Sequence, residues 1–385
     1  MRILQLGKFY PIKGGIEKVM YDLTFGLSEK KIHCDMLCTI EKNYQEIKLN
    51  DYGKIICCPY FVKFAATTFS IKLITKLRRI ANSYELIHIH HPDPMACLAL
   101  YLSGFKGDLI LHWHADVVKQ KRLMKLYKPF QTWLLKRASL IIGTSPFYIN
   151  NSSFLKEFKY KTTYLPIGVD KLEPKEDKVK IIKKQFENKK IIFSLGRLVD
   201  YKGFKYLIDA ARYLSDDYIV LIAGDGPNRQ EFEEQIYKFK LNNRVKLLGY
   251  ISDEYKENLF GACDVFCLPS IHKAEAFGIV QIEAMSIGKP IVTTKIDGSG
   301  VHWVNLNGVS GINVTVKSSI ELSLAIKEIL SDEETYKNYS LNAKSRFNYL
   351  FTKKEMINKC ISIYNENLRL SNEESVSNIA VDQIY

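Results

Sequence analysis

Ile191-Ile-Phe-Ser-Leu-Gly196-Arg197-Leu-Val-Asp-Tyr-Lys202-Gly203-Phe204 decides the fold. An apolar run too short for a helix is followed by a glycine loop and then by a segment of helical periodicity. That is a buried parallel strand feeding a helix. The same signal recurs at 219–223, 245–248, 265–268, 291–294 and 312–314. An independent series precedes it at 2–7, 34–39, 54–58, 86–91, 109–114, 140–145 and 162–166. Between the two lies Pro166-Ile-Gly-Val-Asp-Lys-Leu-Glu-Pro-Lys-Glu-Asp-Lys178, rich in proline and charge, which predicts an interdomain linker.

The expected fold class is therefore α/β, with two Rossmann-like doubly wound domains, 1–168 and 169–352, facing across a cleft. Ligands are expected beyond the carboxyl ends of the strands. Met356, Ile357, Cys360, Ile361, Ile363, Tyr364 and Leu368 recur at helical spacing, so 353–370 should be a helix packed on a domain face. The polar stretch 371–385 is expected to be a disordered tail.

Composition agrees with a folded enzyme. The chain has 385 residues, 46% of them hydrophobic, and a net charge of +13, which excludes disorder for most of its length. The excess is one-sided: residues 1–168 carry 25 Lys+Arg against 12 Asp+Glu, whereas 169–385 carry 30 of each. An anionic partner for the first half follows, and nucleic acid, a membrane surface and a phosphorylated substrate are the candidates. Cys34, Cys38, Cys57, Cys58, Cys97, Cys263, Cys267 and Cys360 mostly lie in apolar runs, as reduced core thiols do, and no second pair stands in zinc-finger register. Neither a secretory leader nor a membrane-spanning run is expected.

Three motifs carry chemistry. Gly14-Gly15 opens a helix after the first strand, where free amides attract phosphate, although a plain turn has the same signature. Arg197 and Lys202 bracket a strand-to-helix loop and could neutralise a departing diphosphate. In Pro269-Ser-Ile-His-Lys-Ala-Glu275-Ala-Phe277-Gly278-Ile279-Val-Gln-Ile-Glu283, the two carboxylates are spaced to share one helix face, and Glu283, among apolar neighbours, needs a partner.

Together with Ala223-Gly-Asp-Gly-Pro227, these motifs in this order resemble glycosyltransferase family 4, retaining enzymes of the GT-B fold. The resemblance covers residues 2 to about 364. It implies that Arg197 and Lys202 bind the donor diphosphate, Glu283 the nucleotide ribose, and Glu275 with Phe277, Gly278 and Ile279 the donor sugar. Gly14, Gly15 and Gly196 complete the donor site. It also implies a histidine near the sugar, matched by His114 in Leu111-His112-Trp113-His114-Ala-Asp116, with His112 on the same side and Asp116 either orienting the ring or meeting a hydroxyl. Ala276 departs from the commoner glycine, a small change that bears on the identity of the sugar more than on activity. No cofactor or metal ion is implied, although His88, His90 and His91 add three imidazoles beside His112 and His114.

Lys119, Lys121, Arg122, Lys125, Lys128, Lys136 and Arg137 alternate with Leu123, Met124, Tyr127, Phe130 and Trp133, and a second basic-aromatic run covers 61–79. Such runs suit an anionic lipid interface as well as an ordinary surface helix. The expectation is a glycosyltransferase of bacterial O-antigen or capsule type, cytoplasmic and peripheral on the inner membrane face. It would take a GDP- or UDP-linked sugar, with mannose favoured, and a glycan or lipid-linked acceptor. An NAD-dependent oxidoreductase and a non-catalytic binder of anionic polymer are the alternatives; Gly224-Asp-Gly226-Pro227 supplies too few glycines for the first.

Overall fold

The computed structural model describes residues 1–382 apart from 13, 65–66, 117–120 and 188, and the side chains of 121–124, 126 and 370–382 are also outside the description. The chain forms two compact units, Met1–Ile167 with Lys353–Tyr385, and Gly168–Thr352.

The strands of the first unit are β1 (Arg2–Tyr10), β2 (His33–Ile40), β3 (Gln45–Asn50), β4 (Gly53–Pro59), β5 (Val62–Phe64), β6 (Thr67–Phe69), β7 (Leu86–His91), β8 (Asp108–Trp113), β9 (Leu140–Gly143) and β10 (Thr162–Tyr164). Eight of them form one sheet in the order β10-β9-β8-β7-β1-β2-β4-β3. All its pairings are parallel except β3 against β4. Ile3, Leu4, Leu6, Leu37, Ile87 and Ile110 are fully buried, because a central parallel strand is covered on both faces and has no polar side to alternate with. The order reverses between β1 and β7, the point at which an open α/β sheet leaves room for a ligand.

Three strands depart from expectation. β3 is an antiparallel edge strand, and β5 with β6 form a separate two-stranded hairpin. The run 61–79 is thus hairpin followed by the helix Ile71–Ile80, whose Ser70 cap accepts from the Leu73 amide at 3.0 Å.

The second unit holds β11 (Lys190–Leu195), β12 (Tyr218–Ala223), β13 (Val245–Gly249), β14 (Val265–Leu268), β15 (Ile291–Lys295) and β16 (Gly311–Thr315), all parallel, in the order β13-β12-β11-β14-β15-β16. Its reversal falls between β11 and β14. Ile192, Val220, Ile222, Val265 and Val292 join Phe204, Leu207, Ile208 and Ile326 in one core.

The expected linker is docked rather than free. Val169 pairs with Thr352 and donates to the Phe351 carbonyl at 2.9 Å, Leu172 donates to Ser286 Oγ, and Lys175 to Asn258 Oδ1. The chain then returns to the first unit in the helix Lys353–Asp382. Met356, Ile357, Cys360, Ile363 and Tyr364 are buried along one stripe. Gly26 lets this helix approach closely, since a Cβ there would lie 2.6 Å from Ile357. Lys353 pairs with the buried Asp22 at 3.2 Å. The end expected at 370 and the disordered tail 371–385 are not what is found: the helix continues to Asp382, since no glycine or proline interrupts it, and 383–385 lie outside the described residues. Among the described residues no helix is long and apolar enough to cross a membrane.

Candidate active site

In the second unit, the loops leaving β11 and β14 meet at the reversal point. Lys202 ends a short 3-10 turn, Asp200–Lys202, and Gly203 follows in the left-handed region at φ 68°. A Cβ on Gly203 would lie 2.0 Å from the Pro269 carbonyl oxygen, so only glycine allows the two loops to touch. Ile271 N donates to the Tyr201 carbonyl at 2.8 Å and ties them. The Lys202 side chain runs across Gly196, where a Cβ would come within 3.1 Å of its Cε. Its Nζ then reaches Glu275 Oε2 at 2.5 Å, in a pair whose side chains are 11% and 12% exposed. Ser270 Oγ donates to the same oxygen at 3.0 Å. Arg197, on the same loop, is exposed. An ammonium and a guanidinium thus sit at a strand's carboxyl end, with a fixed carboxylate beside them.

Glu275 does not lie on the helix. It sits in a turn, its amide bonded to the His272 carbonyl at 3.0 Å and its own carbonyl accepting from Ser299 Oγ at 2.5 Å. The helix is Ile279–Ser286, and Gly278 at φ 75° precedes it. The expected shared helix face is therefore wrong: the left-handed Gly278 resets the phase, so eight residues of sequence are not two continuous turns. Phe277 is buried against Trp303 and Phe351, which holds the helix start in place with its first amides outside the intrahelical ladder. Glu283 has the partner it needs. Lys256 Nζ lies 3.2 Å away. Burial pushes the Glu283 carboxyl above its ordinary range, with Lys256 opposing the shift.

In the first unit, the helix Gly15–Glu29 starts at Gly14 with no side-chain cap, and a Cβ on Gly14 would meet the Glu17 carboxylate at 2.3 Å. Lys8 carries no local sequence signal of a role. Its amide donates to Asp93 Oδ2 at 2.5 Å, its ammonium donates to the Pro92 carbonyl, and burial lowers its pKa against the pull of Asp93 and Glu17. It stitches the ends of β1 and β7 together at the reversal point.

One face of this sheet carries Gln5, His88, His90, His112 and His114, all buried. His112 and His114 are on the same side, with ring centroids 3.9 Å apart. His90 Nδ1 lies 2.9 Å from His114 Nε2, and His90 Nε2 lies 2.7 Å from Gln5 Oε1. Gln5 Nε2 donates to the Tyr364 hydroxyl at 3.0 Å, which lies 2.5 Å from His88 Nδ1. Burial pushes all four imidazoles below their ordinary pKa, His112 to about 3. On the opposite face His91 stacks on Trp113 at 3.8 Å.

Two expectations change here. Asp116 does not orient His114: its Oδ1 accepts from Trp113 Nε1, Tyr148 OH and Ser152 Oγ at 2.9, 2.8 and 2.9 Å, and the partner of His114 is His90. His112 is fully buried and is no acceptor contact.

His88, His90 and His112 bring ligand atoms within 4.8 Å of one another, so an ion is the obvious question. His90 already has both nitrogens engaged. The three ring planes lie within 32° of parallel, whereas tetrahedral coordination draws its ligands from widely different directions. The trio fits a stack of buried neutral rings, of which only His90 is bonded through both nitrogens, better than a metal centre.

The basic helix Lys121–Arg137 packs inward. Tyr127, Leu134 and Leu135 are buried, and Trp133 is half-buried with its ring edge-on to Tyr101 at 5.1 Å. Lys125 and Lys128 are exposed; Lys119 and the side chains of Lys121 and Arg122 lie outside the described residues. Among the described residues the hairpin is the more exposed apolar surface, with Phe61 at 70%, Phe64 at 61% and neighbouring Ile71 at 66%.

Comparison with known proteins follows the two units. Residues 13–171 match Glycosyltransferase Family 4, and residues 175–346 match glycosyl transferases group 1. O-antigen chain mannosyltransferase C of Escherichia coli is 31% identical over 368 residues, 94% of this chain and 98% of that protein. D-rhamnosyltransferase WbpZ of Pseudomonas aeruginosa is 27% identical over 91% of this chain and 92% of its own. Among solved structures, Anabaena Alr3699/HepE in complex with UDP superposes with a TM-score of 0.76 at 22% identity, covering 95% of this chain and 100% of that one.

Proposed function

The chain belongs to glycosyltransferase family 4, the group 1 glycosyl transferases of GT-B fold, and from that membership we propose that it is a retaining hexosyltransferase that works without a metal ion or cofactor. It moves a sugar from a nucleoside diphosphate to a hydroxyl of a glycan or lipid-linked acceptor in O-antigen-type polysaccharide assembly. The names of two of its relatives, a mannosyltransferase and a rhamnosyltransferase, favour a mannose-like, GDP-linked donor. Family membership removes the nicotinamide oxidoreductase and the anionic-polymer binder.

One observation supports this above the rest. Lys202 and Glu275, 73 residues apart, form a nearly enclosed ion pair where the strand order reverses. Departure of a nucleoside diphosphate builds negative charge, which Lys202 and Arg197 neutralise, and the neighbouring Glu275 carboxylate stabilises the positive charge developing on the sugar. Amides at the start of the helix Ile279–Ser286 hold sugar hydroxyls, Glu283 the ribose, and Gly14 with Gly15 the phosphates. His114 meets the donor sugar. As membership of the family implies, the acceptor hydroxyl attacks on the face the diphosphate leaves and gives its proton to the departing phosphate, which retains configuration.

The exposed Phe61, Phe64 and Ile71, next to Lys63 and Lys72, suit a peripheral position on an anionic inner membrane where a lipid-linked acceptor is found. The test is a panel of sugar nucleotides read by mass, with EDTA present. One donor should be turned over, and Lys202→Ala should lower turnover at least about hundredfold with the fold intact. Near-normal turnover by that variant, or loss of wild-type turnover to EDTA, would overturn the assignment.

A further inference from the structure

The side-chain oxygen of Gln5 has no proton to give, so the His90 Nε2 that lies 2.7 Å from it must be the donor. A neutral imidazole carries a single N–H, and His90 is held neutral by burial and then by the neighbouring His88, His112 and Lys8. Its Nδ1 is therefore bare. That nitrogen lies 2.9 Å from His114 Nε2, and a hydrogen bond forms there only if His114 donates. His114 is kept neutral in the same way, which leaves its own Nδ1 without a proton.

The amide of Gln5 is fixed from its other end. Its Nε2 donates to the Tyr364 hydroxyl at 3.0 Å, and that hydroxyl lies 2.5 Å from His88 Nδ1. Satisfying buried polar groups does not account for this network, because among the described residues both nitrogens of His112 and Nε2 of His88 have no partner. The bonds that are complete are those on the line to His114.

We propose that Gln5 and His90 are positioning residues that fix His114 as the tautomer protonated on Nε2, so that it meets a substrate hydroxyl through Nδ1 and only as an acceptor. The consequence for catalysis rests on His114 standing at the donor sugar, as proposed above; the tautomer itself does not. A histidine of this kind selects a donor that presents an O–H, and it is not a general acid for the departing phosphate.

Long-range proton–nitrogen correlation spectra of the whole protein, labelled with 15N-histidine, test this directly. His90→Asn and His114→Asn identify the two signals. Both rings should be Nε2–H in the wild type, Gln5→Leu should turn His114 into a mixture, and Gln5→Glu, which keeps an acceptor oxygen, should restore it. A wild-type His114 protonated on Nδ1, or a His114 signal unchanged in Gln5→Leu, would overturn the proposal. The wild-type spectrum decides the tautomer even if Gln5→Leu does not fold. With the donor found by the sugar-nucleotide panel, Gln5→Leu should lower kcat about tenfold at unchanged KM, and Gln5→Glu should recover it, a rescue that mere packing would not give. If no sugar nucleotide is turned over, the functional assignment fails while the spectra still decide the tautomer.

Discussion

Acidification from pH 7.5 to 5.5 should unfold the first unit, and the histidines set the size of the effect. His88, His90, His91, His112 and His114 are all buried with pKa values pushed below the ordinary 6.5. In the unfolded chain each takes up a proton near pH 6.5; in the folded chain it does not. Stability is therefore complete above pH 6.5 and falls as the pH drops toward the folded values, His112 titrating only at about 3. At pH 5.5 each unfolded imidazole contributes about 1.4 kcal/mol, so the five together remove about 7 kcal/mol. That is comparable to the whole stability of an ordinary domain. Carboxylates titrate mostly below about pH 4.5 and do not obscure the window. Urea melts at fixed ionic strength, followed by tryptophan fluorescence in a Trp303→Phe background, report Trp113 and Trp133 of the first unit alone. The loss should approach five protons per molecule, and His112→Leu, which removes a ring with no hydrogen-bond partner among the described residues, should reduce it to four. Stability that stays flat between pH 7.5 and 5.5 would refute the burial of these rings as neutral bases.

Other perturbations have equally definite outcomes. Gly203→Ala forces a Cβ within 2.0 Å of the Pro269 carbonyl at a left-handed φ and should cost about 2–4 kcal/mol; an unchanged melting temperature in a thermal-shift assay would contradict the loop contact. Lys256→Met strands the Glu283 carboxylate and should destabilise the second unit by about 2 kcal/mol, while weakening nucleoside diphosphate binding in calorimetry more at pH 6 than at pH 8. Replacing Phe61, Phe64 and Ile71 by serine should lower flotation with phosphatidylglycerol vesicles more than tenfold, and Lys125→Glu with Lys128→Glu should lower it less. Equal losses from the two variants would return the lipid contact to the helix Lys121–Arg137.

The sequence carried the two parallel sheets well, because strands such as 191–195 and 265–268 are buried on both faces and stand out as uninterrupted apolar runs. It carried β3 poorly. Gln45-Glu-Ile-Lys-Leu-Asn alternates polar and apolar residues along an edge, a period-two signal without the density of its neighbours. The spacing of Glu275 and Glu283 misled through one backbone angle at Gly278. Alternation does place His112 beside His114, but the partners that give the cluster its order come from far away. Gln5 and Tyr364 are 359 residues apart, and no local pattern joins them. Lys256 and Lys8 escaped notice for the same reason: each acts on a residue that only the folded chain brings near.

The last helix belongs to the first unit, and this fixes an order of events on the ribosome. When Ile167 has been made, the first sheet still lacks Met356, Cys360 and Tyr364, and Gln5 has no hydroxyl to bind. Gly168–Thr352 is continuous, so the second unit has all its parts while the first waits. At about 5–20 residues per second that wait lasts roughly 10–40 s. The half synthesised first is the half completed last, and during this interval its unfinished apolar face is what a chaperone would meet.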